Sequence, residues 1–543
     1  ACGGPPNYCA RRDRDVQPTT PMPPPPVRKV FKDPDFGSRM VRVTDAQTMA
    51  SFGHAGRHFV TPSSGEQNTW SKDSRKFFVQ MQGGWIIPFG FDPVTMGVSR
   101  IDVPNGSLPL GAPSFGYTNP DVVYGTATAL TVNEFRFSNH KLSTVIDTTT
   151  CVPGLKRAPN VYNGDISVSG TDQQFLTYEG GPSQDRHMLA VVYDKNRGCR
   201  WYNTQTGEIG GQWGSSGKVS GLPPLPPPPA PLLSSVAGGS LPPTTYYVQV
   251  TYWNVSGETV PSPEASIRAP ANQLLVVNAP PPSGNAMAYR VYASTVSGGE
   301  RRPKGTSSLP LDKKEWVEPS QGLMLTDDAP PSQNRSASYL IHNARLSRGG
   351  DYVRITVAGG SGMMFWQVAT LNVTACTTGP PMYCGDHQAM GYEHSVNVTG
   401  PDDAMNPLLR PLNNLGSITP LIRPLLTPPQ WVLDKHVSWN NVDADDRAPA
   451  CISTYRFQPP YSQIDRPWDG EVICLRTDGA ASQVWRFAHH RSQYNQDFWG
   501  TPRGNVSQDG KFYMFTSNWD NSLGLRSGAN NGYRTDVFIV ELH

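Results

Sequence analysis

A short turn of the form Ser-x-Asp/Gly-Gly/Ser, entered from one strand and left through an aromatic or β-branched one, returns along this chain. The clearest copy is Val506-Ser507-Gln508-Asp509-Gly510-Lys511-Phe512, and Trp70–Phe77, Val168–Asp172 and Leu346–Tyr352 carry others. Weaker relatives begin at Asn119, His394 and His436. Asp-Gly and Gly-Gly pairs suit tight hairpins because they tolerate positive φ. Ordered along the chain, the anchors sit near 71, 121, 169, 347, 394, 438 and 507. With residues 221–333 set aside, most spacings are about 40–50 residues, the length of a four-stranded propeller blade. The expectation is an all-β chain containing a seven-bladed β-propeller; the competing reading is a long β-sandwich with accidental turns. The last spacing is longer and holds a loop at 443–470.

Composition agrees with short strands and many turns. The chain of 543 residues has 52 glycines and 53 prolines, nearly a fifth of the total, and both interrupt helices. Proline also marks the borders. Residues 1–30 form a Pro-rich arm with PMPPPP at 21–26, a polyproline II former with no core of its own. Such an arm needs a surface, either its own propeller or a neighbouring subunit. A second stretch, GLPPLPPPPAPL at 221–232, and a cluster at 329–331 bracket a segment of different texture. The expected plan is an arm at 1–30, a first propeller part at 31–220, an inserted β-sandwich at 221–333 and a second propeller part at 334–543. Strands are expected at 246–252 and 289–293, where apolar and polar residues alternate. Segments 40–44 and 535–542 are expected in one blade, closing the ring.

The Asp-Gly hairpins and the ending SQDGKFYMFTSNWDN…RTDVFIVEL resemble secreted bacterial propellers of the Tol-associated and oligogalacturonate-lyase-like type. This resemblance spans about 400 residues and bears on fold, since one fold hosts many functions. The run YYVQVTYWNVSGETVPSPE, followed by YRVYAS, resembles fibronectin type III-like or immunoglobulin-like modules, which act as spacers or contact surfaces.

Eight cysteines fall in successive pairs, expected as Cys2–Cys9, Cys151–Cys199, Cys376–Cys384 and Cys451–Cys474 by proximity alone. Disulfides imply an oxidising compartment. The chain is therefore read as extracellular or cell-surface, and its start at Ala1 as the result of signal-peptide removal. CxxC-type zinc spacing and CxxCH are absent, so haem attachment is excluded. Net charge is +2 and charged residues are 17%, without the basic concentration of a nucleic-acid binder. No apolar run reaches the length of a membrane span.

Histidines recur near blade entries, among them His58 and His489. The resemblance implies a metal held by histidines in the propeller funnel, acidifying a sugar α-proton for β-elimination. By position in the repeat the nominees are His342, His394, His436 and His490. Asp443, Asp445 and Asp446 form a candidate calcium loop, against the plainer reading of a solvated acidic turn held by Arg447. GxSxG, GxGxxG and Walker A patterns are absent, and no catalytic residue is nominated. Three functions stand: a surface structural or adhesion protein self-associating through arm and insert, even into a filament; a metal-assisted polysaccharide lyase; and a glycan- or protein-binding propeller. The first is favoured at this stage, because the arm and insert need a role.

Overall fold

The computed structural model describes residues 4–543 except 63–65, 157–161, 182–187, 205, 220–225, 255–256, 284–285, 287, 307–308, 312–314, 333–334, 337–340, 358–362, 377–383, 385–387, 399–405, 425–432, 441–442, 457–458, 480–481 and 529–531. Seven antiparallel sheets, each of four or more strands, follow one another around a ring. Five of the seven sequence anchors are turns from an inner strand to the next one outward, as between Gly504–Val506 and Phe512–Ser517, while the anchors near 394 and 438 fall in the strands His394–Asn397 and Leu433–Ser438 beside that turn. Blade 1 begins at Phe59–Val60, blade 2 at Gly111–Phe115, blade 3 at Ser167–Val168 and blade 4 at Ile341–Leu346. Blades 5, 6 and 7 begin at Gln388–Met390, Leu433–Ser438 and Gly504–Val506.

Alternating side chains give each sheet two apolar faces, and these fill the gaps between blades. Phe78 with Phe115 and Phe135 joins blades 1 and 2. Tyr124 with Phe175 joins blades 2 and 3, and Leu176 with Ile355 joins 3 and 4. Phe365 with Leu412 joins 4 and 5, Val396 with Val437 joins 5 and 6, and Phe487 with Phe538 joins 6 and 7. Met514 with Phe77 then returns to blade 1 and closes the circle. The β-sandwich alternative fails here, because two face-packed sheets cannot produce seven successive interfaces.

Both chain ends meet in blade 7, as expected. Arg39–Arg42 pairs with Asp536–Glu541 in the register Met40↔Val540, Val41↔Ile539 and Arg42↔Phe538. Buried Asp536 binds Arg42 Nε at 3.0 Å and also accepts from Arg534, so charge and backbone hold the same seam. Across the ring, Glu66 of blade 1 accepts from Arg354 of blade 4, beside Arg345 at 4.0 Å. Arg345 continues to Asp165 at 2.5 Å.

Two further sheets stand in sequence between blades 3 and 4. One orders Leu233–Ala237, Gln273–Asn278 and Glu315–Val317. The other is built on Thr244–Asn254, which pairs with Ala265–Ala269, Ala288–Ser294 and Gly257–Glu258. Tyr246, Val250, Leu275, Val277, Tyr289 and Trp316 form their shared core. Both strands expected in this segment lie in the second sheet.

Disulfides join Cys151–Cys199, Cys376–Cys384 and Cys451–Cys474; Cys2, and with it the fourth expected pair, lies outside the described residues. Near the first of them, Glu179 is buried with one oxygen accepting from Thr148 Oγ1 at 2.9 Å, and burial pushes its carboxyl up to about 7. A carboxyl raised on folding binds its proton more tightly in the folded state. Its stability contribution is full below the ordinary value of 4.5 and is lost as pH rises toward about 7. The loss is roughly 3 kcal/mol. Glu179→Gln is expected to flatten the fall in urea-unfolding free energy between those pH values.

The arm lies on its own propeller. Tyr8 packs edge-on against Trp485 and Phe487 and donates to Gly510 O at 2.7 Å. Arg11 bridges the backbone of Arg486 on the outer strand of blade 6, Val484–His489. Trp468 Nε1 donates to Asp13 O at 3.2 Å, and Trp519 Nε1 to Met22 O at 3.0 Å. The arm thus crosses the seam between blades 6 and 7 from rim to rim. Among the described residues, no helix is long and apolar enough to cross a membrane.

Candidate functional site

On the rim opposite the repeated turns, three chain segments leave blades 6 and 7 together. One joins Ala450–Thr454 to Glu471–Leu475, one follows Val484–His489 and one follows Phe512–Ser517. With arm residues Thr19 and Pro21 they enclose a cleft of about 240 Å³, whose walls include Tyr455, Tyr461, Gln463, Arg491, Gln493 and Asp520. The expected loop at 443–470 is interrupted by the strand Ala450–Thr454, and the part that follows this strand forms one of the walls.

One wall is aromatic. Tyr494 meets Tyr455 and Tyr461 with ring centroids 5.9 Å apart in both cases. The other includes Gln493 and Asp520, which a network of amides holds in place. Gln493 N–H donates to Asn518 Oδ1 at 3.0 Å, and Asn518 Nδ2 donates back to Gln493 O at 2.7 Å. Asn495 Nδ2 donates to Asn521 Oδ1 at 2.7 Å, and Gln493 Nε2 to Asp520 Oδ1 at 3.3 Å. Trp468, Arg491, Asn495, Gln496, Trp519, Asp520 and Asn521 all have positive φ, seven of the seventeen non-glycine cases among the described residues. Asn and Asp tolerate that region, but Arg, Gln and Trp adopt it at a cost that surrounding contacts must hold.

The ionisable groups here are tied down. His490 Nε2 donates to Thr454 O at 2.5 Å and its Nδ1 accepts from Ser492 N–H at 2.9 Å, which fixes a neutral tautomer. Burial pushes its imidazole down to about 3. Asp469 is pushed up to about 6 by burial, against the pull of Arg456 at 3.2 Å. Both groups hold structure at neutral pH.

The sequence nominees do not gather at one point. His342 is exposed on the inner strand of blade 4 and His436 is buried on that of blade 6. His394 begins the second strand of blade 5 on the opposite rim from His490, with Nδ1 3.1 Å from Asp446. Asp446 accepts from the backbone N–H groups of Tyr392, Glu393 and His394 at 2.7–2.9 Å. Asp443 accepts from Asp445 and Arg447 N–H, and Asp445 lies exposed 3.8 Å from Arg447. Asp443 and Asp445 thus lie in an acidic turn, and Asp446 is turned inward to brace blade 5.

Among the described residues, one group brings three ligand atoms within 4.8 Å: Asp33, Asp35 and His489. The spacing suits a divalent ion, but every one of these atoms has a hydrogen-bond partner. Asp33 accepts from Asp35, Phe36 and His489 N–H. Asp35 accepts from Thr20 N–H and faces His489 Nδ1, while His489 Nε2 faces Gln17 O. Burial opposes ionisation of Asp35, but the Thr20 bonds and His489 hold its carboxyl below the ordinary value. The trio clasps the arm, and an ion would have to displace those bonds. Sequence reasoning missed Tyr455, Tyr461, Gln493 and Arg491; the dense polar-aromatic run from His489 to Asp497 was the available signal.

No family model matches the chain, and no curated protein does. Among solved structures it is similar to an oligogalacturonate lyase from Vibrio parahaemolyticus, with 8% identity over 94% of this chain and 96% of that one, TM-score 0.40. An oligogalacturonate lyase in complex with manganese gives 9% identity, coverage of 98% and 99%, and TM-score 0.40. The WD40 repeats of RRP9 give 10% identity, coverage of 79% and 93%, and TM-score 0.26. The propeller assignment rests on the strand pairing and the ring of interfaces described above.

Proposed function

We propose that this chain is a secreted propeller that binds a neutral glycan in the cleft between blades 6 and 7. The observation that carries this reading is one cleft lined by Tyr455 and Tyr461 on one side and by Gln493 and Asp520 on the other, with Tyr494 packed against both tyrosines. Tyrosine rings stack on the apolar faces of sugars, while amide and carboxylate groups meet hydroxyls in both donor and acceptor roles. A fibronectin type III-like insert would serve as a spacer or second contact surface, and the disulfides favour an extracellular setting. Self-association through the arm is the weaker reading, because the arm is seated on its own ring.

Titration calorimetry with cellohexaose, xylohexaose, maltohexaose and chitohexaose tests this. One of the four is expected to bind with a sub-millimolar Kd, about −4 kcal/mol or better. Tyr461→Ala should weaken it about tenfold, or 1.4 kcal/mol. Absence of heat with all four sinks the reading.

The second reading is a metal-assisted lyase, favoured only by the spacing of Asp33, Asp35 and His489. Its check is chelation: EDTA is expected to leave Tm within about 1 °C, since protein hydrogen bonds satisfy these groups. A marked fall in Tm would favour a bound ion.

A further inference from the structure

The geometry points to the arm as part of the binding site: residues Gln17–Met22 form a detachable wall of the cleft, and Arg491 is the positioning residue that couples them to its interior. The inference rests on the cleft reading for its ligand, not for its mechanics.

Thr19 and Pro21 line the cleft, yet they belong to a segment without ladder pairing of its own. This stretch is held at a few polar points and by Met22, which packs against the apolar core of blades 6 and 7. Arg491 Nη2 donates to Thr20 O at 2.7 Å, Thr20 N–H to Asp35 at 3.0 Å, and Trp519 Nε1 to Met22 O at 3.0 Å. His489 adds its contact to Gln17 O at 3.0 Å. Arg491 does more than hold the arm. Its guanidinium lies over the Trp519 ring at 5.3 Å, and it sits 3.9 Å from Asp35 and 3.8 Å from Asp520. Both Arg491 and Asp520 line the cleft.

One buried cation thus contacts the arm on one side and a cleft carboxylate on the other. Anything that moves Asp520 or Gln493 changes what Arg491 can offer Thr20, and loss of Thr20 changes what Arg491 offers the cleft. Two sites sharing one group in this way are coupled, and the coupling is reciprocal. The positive φ of Arg491, 54°, keeps its side chain between the two. Polyproline at 23–26 then gives the detached stretch a stiff tether, so that it swings as a unit.

Hydrogen exchange on the full chain without ligand tests this, comparing wild type with Asp35→Ala and Arg491→Lys. Asp35→Ala removes the Thr20 anchor. Arg491→Lys keeps the charge but loses the fork. Both are expected to speed amide exchange at least tenfold in 17–22 and also in 461–464 and 490–496, with 76–92 in blade 1 unchanged. Faster exchange confined to 17–22 overturns the inference, because the arm would then be detachable without being a wall. Faster exchange in blade 1 as well also overturns it, marking general destabilisation. Failure of every hexaose to bind would sink the glycan reading while leaving this result standing.

Discussion

Replacing Glu66 with alanine is expected to cost about 3–5 kcal/mol of stability, the range for removing one partner of a buried ion pair. Glu66 is buried in the ring centre and accepts from Arg354, with Arg345 at 4.0 Å. Those arginines belong to blade 4, so this carboxylate ties opposite parts of the ring together. Its attraction does not make the site intrinsically stabilising, because desolvation of the charges offsets much of it. The penalty comes from what remains: cationic groups in a dry interior with less compensation. Glu66→Gln should fall between wild type and alanine, since an amide oxygen still accepts from Arg354. Urea unfolding at pH 7 measures this. A change below 1 kcal/mol for alanine would mean that water reaches the ring centre.

The second large effect is loss of the last strand. A chain ending at Thr535 lacks Val537, Phe538, Ile539, Val540 and Leu542, each at most 2% exposed in the native ring. At about 1.5–3 kcal/mol per buried side chain the loss is roughly 8–15 kcal/mol. That rivals the net stability of a domain, about 5–15 kcal/mol. The truncation also leaves Phe512–Ser517 and Arg39–Arg42 as open edges in the same blade. The truncated chain is expected to lose its near-UV circular dichroism and its cooperative thermal transition. Retention of a cooperative transition near the native Tm would show that ring closure does not depend on this strand.

The ring was legible because its signal is repeated. A tight turn with Ser, Asp or Gly is written clearly into the sequence four times and more weakly three times, and apolar alternation marks the strands between. Closure was legible for the same reason, since TDVFIVEL and MVRVT each present two apolar faces. The cleft carries no such mark. Tyr455, Tyr494 and Asp520 lie on different loops, and only the ring geometry brings them together. Histidine position in the repeat does not reveal partners: at His490 a backbone carbonyl and an amide take the two nitrogens. His489 next to it was passed over, although it joins Asp35 to the arm. The arm itself could be placed only by seeing Tyr8 enter the aromatic pocket of Trp485 and Phe487.

The cleft is the claim on which the functional account stands, and hydrogen exchange with each hexaose at saturating concentration tests it most directly. Binding there predicts slower exchange in 455–464, 490–496 and 518–521, with matching protection of arm residues 17–22 and no change elsewhere in the ring. Protection centred instead on the inner strands at 341–346 and 388–390 would place the ligand in the central channel and contradict the account.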